Sequence, residues 1–328
     1  MHSLLDDLPV RPDGLIMASD ASAVGRRYRV HRLHHAGVLT RIWPGVYAVT
    51  ETPEPSGPRG DAARYLRRVR AAAHQMPGRV FTSYSAAALL GLPIVGRWPR
   101  EVYVLAGGPN GSRRGDVRYV GHRLDAPEAC VDGIRVTGPA YTVIQVARSA
   151  TLAAGLVAAD AALRHPPYAE RPPLLTPEAL SGEHERLLPY RGQTRATAVL
   201  RRATPFADGA LESISRLVIE ELGFAAPELQ HRFWLPGLGE YVWVDFYWPE
   251  LDIAMEADGH GKYLDAGSGP RAAQRVVREK RREDEIRAQV EKFGRWDWDD
   301  AWRNYPLERK LERAGVPRTR PRRRLIVP

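Results

Sequence analysis

Hydrophobic and polar positions follow two different periods in the first 50 residues. In residues 26–37 the apolar side chains Val30 and Leu33 recur at helical spacing, and arginines and histidines fill the other positions. Residues 39–50 then predict two strands joined at a Pro-Gly turn. A short helix, a second helix and a two-stranded wing together predict a winged helix-turn-helix domain over residues 1–51.

The middle of the chain predicts a mixed block of helices and strands over residues 61–165. Its predicted elements are a helix at 61–76, a strand leading into a helix at 79–93, two strands at 101–108 and 116–124 joined by a turn at 109–115, and a strand with two helices at 134–163. Five prolines between 165 and 178 then predict a Pro-rich linker over residues 166–209.

Residues 210–310 predict a separate domain with a mixed sheet flanked by helices. The predicted elements are an amphipathic helix at 210–223, three strands at 227–237, 240–250 and 251–259, and a long charged helix at 270–293. The arginine-rich end, residues 311–328, is expected to be disordered. The fold class expected for the whole chain is multidomain, α+β and α/β.

Composition and charge narrow the possible classes of protein. The chain has 328 residues and a net charge of +9, unevenly distributed: +9 over residues 1–210, −5 over 211–310 and +5 over 311–328. No apolar run approaches the length of a membrane span, and the N-terminus does not resemble a signal peptide. The single cysteine, Cys130, excludes an internal disulfide framework, so we expect a cytoplasmic protein without a membrane partner.

The basic first part of the chain predicts contact with a polyanion such as DNA. The helix at 28–35 would be the recognition helix, because its arginines can reach phosphates or base edges. A solvated basic face on a small packing unit is the alternative, but the wing that follows favours DNA. The candidate DNA-binding residues are Arg26, Arg27, Arg29, Arg32 and Arg41.

Acidic residues on the two last predicted strands form a candidate catalytic centre. With the turn centred near Pro249–Glu250, Asp245 would face Ala254 and lie diagonally from Glu256, at about 7–8 Å between Cα atoms. One Mg²⁺ or Mn²⁺ could bridge two carboxylates at that separation and activate a water for phosphodiester hydrolysis. Glu212, on the preceding helix, could orient that water.

A structural role for the same carboxylates is the alternative. Asp245, Glu256 and Asp258 could pair with the arginines at 278–282 across a sheet surface. Without a cation or an arginine between them, carboxylates this close would repel one another.

The order helix, three strands, helix resembles the PD-(D/E)XK nuclease superfamily, in the branch of very-short-patch-repair endonucleases. The resemblance rests on LESISR with Glu212, VDFYWPE with Asp245, MEADGHGKY with Glu256 and Asp258, and REKRREDEIR at 278–287. It implies that Asp245 and Glu256 bind Mg²⁺, with Glu212 as an accessory acid.

The chain departs from this superfamily at two places, and one polar contact is implied beside them. Asp258 stands where a lysine is usual, so Lys262 is the candidate for a relocated catalytic lysine, with Lys280 or Arg281 as the second choice. The strand expected after the long helix is shortened. Gln230 on the first strand is an implied polar contact.

Residues 15–165 resemble AbiEi-type antitoxins of abortive-infection systems. The resemblance rests on LIMASDASAVG and LHHAGVLTRIWPGVYAVT in the winged-helix region and on SYSAAALLGLP, EVYVLA and IRVTGPAYTVIQVAR in the block that follows. Tyr84 and Gln145 depart from the His and Asp that are common at these places in the family.

Two functions from different classes follow. The first is a DNA-binding, Mg²⁺-dependent endonuclease with Asp245, Glu256, Glu212, Asp258 and Lys262 in its catalytic centre. The second is a transcriptional regulator or antitoxin whose nuclease-like domain is non-catalytic and whose partner would include a cognate toxin.

Overall fold

The computed structural model describes residues 7–51, 56–258 and 270–325, without the side chains of 270–273, 275 and 276. The chain forms two compact units, Met1–Gln145 and Val146–Pro328. Twelve helices and twelve strands occur among the described residues, so the mixed α and β class predicted from the sequence is confirmed.

The first unit begins with a three-stranded antiparallel sheet and two short helices. Its elements are β1 (Leu15–Met17), α1 (Ala18–Ala23), α2 (Arg27–His35), β2 (Leu39–Trp43) and β3 (Val46–Val49). The strand order is β1-β3-β2. Val30 and Leu33 of α2 pack with Ile16, Leu39 and Tyr47 in one buried cluster, as the helical spacing predicted.

The rest of the first unit packs helices against short strands. These elements are α3 (Gly57–Gln75), α4 (Ser83–Leu89), β4 (Val102–Leu105), β5 (Ser112–Arg114), β6 (Val117–Val120), β7 (Glu128–Val131) and β8 (Ile134–Thr137). The helix α5 (Pro139–Ala147) follows and spans the division between the two units.

The hairpin predicted for 101–108 and 116–124 is wrong. β4 and β6 pair in parallel, and β5, inside the predicted turn, pairs antiparallel with β6. The return of the chain is tight: a Cβ on Gly121 would lie 2.1 Å from the carbonyl oxygen of Pro109. The glycines of this segment therefore let two stretches of backbone approach closely. The sequence pattern predicted only a turn here.

The second unit opens with four helices. They are α6 (Leu152–Leu163), α7 (Pro177–Leu187), α8 (Gln193–Leu200) and α9 (Ala210–Leu222). The predicted Pro-rich linker at 166–209 therefore contains α7 and α8. Pro177 stands at the start of α7, and the Thr176 side chain accepts a hydrogen bond from the amide of Ala179, so proline here begins a helix.

A four-stranded mixed sheet follows α9. Its strands are β9 (Glu228–Leu235), β10 (Glu240–Trp248), β11 (Ile253–Ala257) and β12 (Lys292–Trp296). The helix α10 (Pro270–Arg287) stands between β11 and β12 in the chain. The order is β12-β11-β10-β9, antiparallel except for β11 and β12, which are parallel. The strand predicted to be shortened, β12, pairs with all five residues of β11.

The end of the chain is structured as far as residue 325, so the predicted disorder of 311–328 is wrong for that part. After α11 (Trp298–Trp302) and α12 (Tyr305–Ala314), the chain runs along the end of α9. The amides of Thr319 and Arg320 donate to the carbonyl of Gly223, and Arg318 pairs with Glu308. The arginines are thus partly neutralised by α12, which holds the segment in place.

Among the described helices, none is both long enough and apolar enough to cross a membrane.

Candidate functional site

The candidate acidic centre lies on the sheet of the second unit. β10 and β11 pair with Tyr247 opposite Ala254, so the predicted pairing of Asp245 with Ala254 is wrong by two residues. The cause is the longer connection: Pro249–Leu251 form a 3-10 turn, and Asp252 follows in the left-handed region with φ +49°. Continued by one residue, the register sets Asp245 level with Glu256.

Asp245 is held by a side chain and a backbone amide. Gln230 Nε2 donates to Asp245 Oδ1 at 3.1 Å and lies 3.3 Å from Glu212 Oε2. The amide of Ala257 donates to Asp245 Oδ2 at 2.9 Å. Gln230 is buried with φ +51°, so the structure brings together the three predicted residues Glu212, Gln230 and Asp245.

Glu212 also accepts a hydrogen bond from the backbone next to α9. Its Oε2 accepts a hydrogen bond from the amide of Asp208 at 2.6 Å, just before α9 begins. Burial, followed by the charges of Asp208, Glu212 and Asp245, raises the pKa of the Tyr168 hydroxyl. Tyr168, which also packs against Trp243, is therefore a neutral neighbour of the acids that sequence reasoning missed.

Glu256 has different partners from Asp245. Arg282 donates to its Oε1 at 2.6 Å and Arg295 lies 2.9 Å from its Oε2, so both carboxylate oxygens face a guanidinium. Arg295 also pairs with Glu279 at 2.8 Å and with Asp258 at 3.5 Å. The structural alternative predicted above is matched for Glu256, which pairs with Arg282 inside the range 278–282 and with Arg295 outside it. Asp258 pairs with Arg295, and the described donors to Asp245 are Gln230 and the Ala257 amide.

Electrostatics stabilise the charged form of this network. Burial acts to lower the pKa of the Arg282 guanidinium, but the hydrogen bond and charge of Glu256 outweigh it and the pKa is raised. The pKa of Arg295 is raised in the same way by its hydrogen bond to Glu279 and by the charge of Glu256, against the effect of burial. Both arginines therefore remain charged beside Glu256.

This donor set does not fit a divalent cation between Asp245 and Glu256. Two guanidinium charges already neutralise Glu256, and a metal ion brought to the same oxygens would meet their repulsion. No group of three or more His, Cys, Asp or Glu side chains suited to a metal occurs in the described parts of the chain.

Of the three candidates for the superfamily lysine position, the two that the structure describes make no contact with Glu256. Lys262 is outside the described residues. Lys280 and Arg281 are exposed on α10, and the contact with Glu256 comes from the next residue, Arg282. Asp258, the residue in the usual lysine position, faces Arg295.

The role of Arg295 as a partner of Glu256 can be predicted from sequence only when the strand topology is known. β11 and β12 are parallel and joined through α10, and their register sets Glu256 beside Arg295. Opposite charges on neighbouring strand positions attract. The pattern around RWDWDDAW carries no signal for that register.

In the first unit, α2 presents a basic face to solvent. Its exposed side chains, at helical spacing, are Arg27, Tyr28, His31, Arg32 and His35. Arg41 is opposite Tyr47 in the hairpin, and the Tyr47 ring contacts His34 of α2, so Arg41 lies on the side of the hairpin that carries α2.

The five candidate DNA-binding arginines fall into two groups. Arg29 is half-buried and pairs with Asp7 at 2.8 Å, and Arg26 lies 3.9 Å from the same carboxylate. Arg27, Arg32 and Arg41 are exposed and make no ion pair with any residue that the structure describes.

Comparison with known proteins gives relatives without an assigned activity. No family model matches the chain. Two proteins described as uncharacterized, from Mycobacterium tuberculosis strains CDC 1551 / Oshkosh and ATCC 25618 / H37Rv, are each 32% identical over 227 residues, which is 67% of this chain and 73% of theirs. The chain belongs to the same family as these two mycobacterial proteins.

Proposed function

We propose that this protein is a DNA-binding regulator, in which the first unit reads duplex DNA and the nuclease-like second unit does not cleave it. The observation that carries the proposal is the set Arg27, Arg32 and Arg41: three exposed guanidiniums beside one helix face, without a counter-charge among the described residues. Unpaired surface arginines in one place suit a polyanion such as the DNA backbone.

The order of elements supports a winged-helix assignment for the first 51 residues. Two helices precede a hairpin whose second strand, β3, pairs with β1, and α2 projects its polar face away from the shared core. In such domains the second helix enters the major groove and the hairpin contacts the neighbouring backbone. Arg27 and Arg32 would then contact the groove, and Arg41 the phosphates beside it.

The order of elements in the second unit supports a PD-(D/E)XK-like fold. α9 precedes three antiparallel strands, and α10 then leads to β12, parallel to β11. Glu212, Gln230 and Asp245 lie together in this frame as the resemblance implied. The ion pairs of Glu256 with Arg282 and Arg295 favour the non-catalytic form of the fold.

DNA binding should depend on the unpaired arginines of the first unit. Arg27→Ala and Arg32→Ala should each weaken binding to the DNA upstream of the protein's own gene by about 1 kcal/mol or more, because each removes a charge-assisted contact. Fluorescence anisotropy with labelled duplexes measures the effect. Arg97→Ala is the matched control, since Arg97 is an exposed arginine of the same unit outside α2.

Two results would refute the proposal. Equal affinity for the upstream duplex and for a scrambled duplex of the same length would contradict a role as a sequence-specific regulator. Cleavage of plasmid DNA with Mg²⁺ or Mn²⁺, lost in Asp245→Ala and Glu256→Ala, would instead establish the endonuclease predicted from the superfamily resemblance.

A further inference from the structure

We infer that the second unit binds a small organic anion in a pocket formed by α6, the two residues after α8, α9, the start of β9 and the segment that follows α12. The pocket has a volume of about 260 Å³. It lies at the C-terminal half of α9, whereas Glu212 stands in the first turn of that helix. The inference does not depend on DNA binding.

The inner wall of the pocket is apolar. Leu156 of α6, Leu217 of α9 and Phe224 after α9 line it and are buried, and Leu229 of β9 lines it beside them. A bare inorganic ion would leave these surfaces without a partner. The wall therefore favours a ligand with an apolar or aromatic body.

The polar wall of the pocket is basic. Four arginines and one carboxylate line it: Arg201, Arg202, Arg216, Arg320 and Glu220. Arg202 is neutralised by Glu220 through two hydrogen bonds of 2.7 and 2.6 Å, and Arg216 pairs with the buried Asp160 at 2.9 Å. Arg201 and Arg320 are exposed and make no ion pair within the described residues, so the lining has a surplus of positive charge.

Arg216 contributes positive charge to the wall but offers no free donor to a ligand. One of its terminal nitrogens donates to Asp160 and to the carbonyl of Arg202, and its Nε is closed off from solvent. An oxyanion in the pocket would therefore pair with the exposed Arg201 and Arg320.

The segment that carries Arg320 is held in place before any ligand binds. The amides of Thr319 and Arg320 donate to the carbonyl of Gly223 at 2.9 and 3.2 Å. Gly223 has φ +81°, and a Cβ there would lie 2.1 Å from the carbonyl oxygen of Arg320. Because the backbone is fixed by this close approach, little ordering is needed at this wall on binding.

The ligand class that satisfies both walls is an aromatic or aliphatic body with one phosphate or another oxyanion. 1-Naphthyl phosphate is a suitable probe, since it combines a flat apolar body with a phosphate monoester. Inorganic phosphate is the matched probe without the body. Isothermal titration calorimetry of the full chain should show binding of 1-naphthyl phosphate, and inorganic phosphate should bind at least about tenfold more weakly because it buries no apolar surface.

Substitutions distinguish binding in this pocket from nonspecific binding to exposed arginines elsewhere on the surface. Arg201→Ala and Arg320→Ala should each weaken binding of 1-naphthyl phosphate about tenfold, as expected for loss of one charge-assisted contact. Ala226→Trp, at the exposed rim, should block the pocket and abolish binding. Arg324→Ala should leave the affinity unchanged, because Arg324 is an exposed arginine of the same segment outside the lining.

Several outcomes would overturn the inference. These are absence of 1-naphthyl phosphate binding at millimolar concentration, equal affinity for inorganic phosphate, or an equal loss in Arg324→Ala. Circular dichroism spectra matching the wild type would show that each variant is folded, and the conservative Arg320→Lys should retain part of the affinity that Arg320→Ala loses.

Discussion

At the scale of single residues, the neighbouring carboxylates Asp245 and Glu256 of the second unit have two different kinds of partner. Asp245 accepts from Gln230 and from the Ala257 amide, both neutral donors. Glu256, although level with it on the next strand, is held by Arg282 and Arg295. The two carboxylates therefore differ in their described partners, and Glu256 is the one held by two guanidinium groups.

The stability of Glu256→Gln distinguishes an ion-pair role from a metal role. Glu256 is buried, and its loss leaves Arg282 and Arg295 with one counter-charge fewer, so the free energy of unfolding should fall by about 3 kcal/mol. Urea denaturation without divalent cations measures this. Carboxylates gathered for a metal repel one another in its absence, so an unchanged or raised stability would contradict the ion-pair role.

A control carboxylate lies close by in sequence. Glu250, in the turn between β10 and β11, is exposed and makes no ion pair with a described residue. Glu250→Gln should change the free energy of unfolding by less than about 0.5 kcal/mol, as is usual for surface substitutions.

At the scale of elements, the pairing of β4, β5 and β6 depends on a close backbone approach. Gly121 follows β6, and a Cβ there would meet the carbonyl oxygen and carbon of Pro109 and the amide of Gly111. All three are backbone atoms, which cannot move aside as a flexible side chain can. The close approach of the segment that follows β6 to the segment that precedes β5 thus requires glycine at 121.

Gly121→Ala should destabilise the first unit. The added methyl group forces the segments around Pro109 and Gly121 apart, at a cost of about 2 kcal/mol, within the usual range for overpacking. Chemical denaturation followed by circular dichroism measures the change. Gly107→Ala is the control, because a Cβ at Gly107 has no neighbour within 4 Å and should cost little; equal losses in the two variants would contradict the close approach.

Elements with a local signal were predictable, and elements defined by distant partners were not. The amphipathic pattern of residues 210–223 predicted α9, and alternation predicted β9, β10 and β11. The parallel pairing of β4 with β6 is not encoded by the periodicity of either strand. The helix α7 does have a local start signal, Thr176 before Pro177, but the run of prolines around it favours a linker.

The same reason limits the prediction of the candidate site. Glu212, Gln230 and Asp245 are joined by short connections, so their approach could be predicted from a helix followed by two strands. The pairing of Glu256 with Arg295 requires the parallel register across α10, and Tyr168 reaches the acids from a segment that prolines marked as a linker.

At the scale of the whole molecule, positive charge and its neutralisation are unevenly distributed. Residues 1–210 carry a net charge of +9, and within them Arg27, Arg32 and Arg41 stand without counter-charges among the described residues. The basic end of the chain differs, because Arg318 and Arg322 pair with Glu308 on α12. The positive charge of this end is therefore partly neutralised within the protein.

The salt dependence of DNA binding should reflect that distribution. Each arginine that neutralises a phosphate contributes about 0.9 to the slope of log K against log salt, because binding releases condensed cations from the DNA. Replacing Arg27, Arg32 and Arg41 together by alanine should therefore reduce the slope by at least about 0.9, from Arg41 at the phosphates, and by up to about 2.7 if the two groove arginines contact phosphates as well. Arg318→Ala with Arg322→Ala should leave the slope unchanged, since those arginines are already paired with α12. Anisotropy titrations of the full chain over a series of salt concentrations measure the slope for both variants. A larger loss of slope in the second variant would indicate that DNA binds at the end of the chain and not at the first unit.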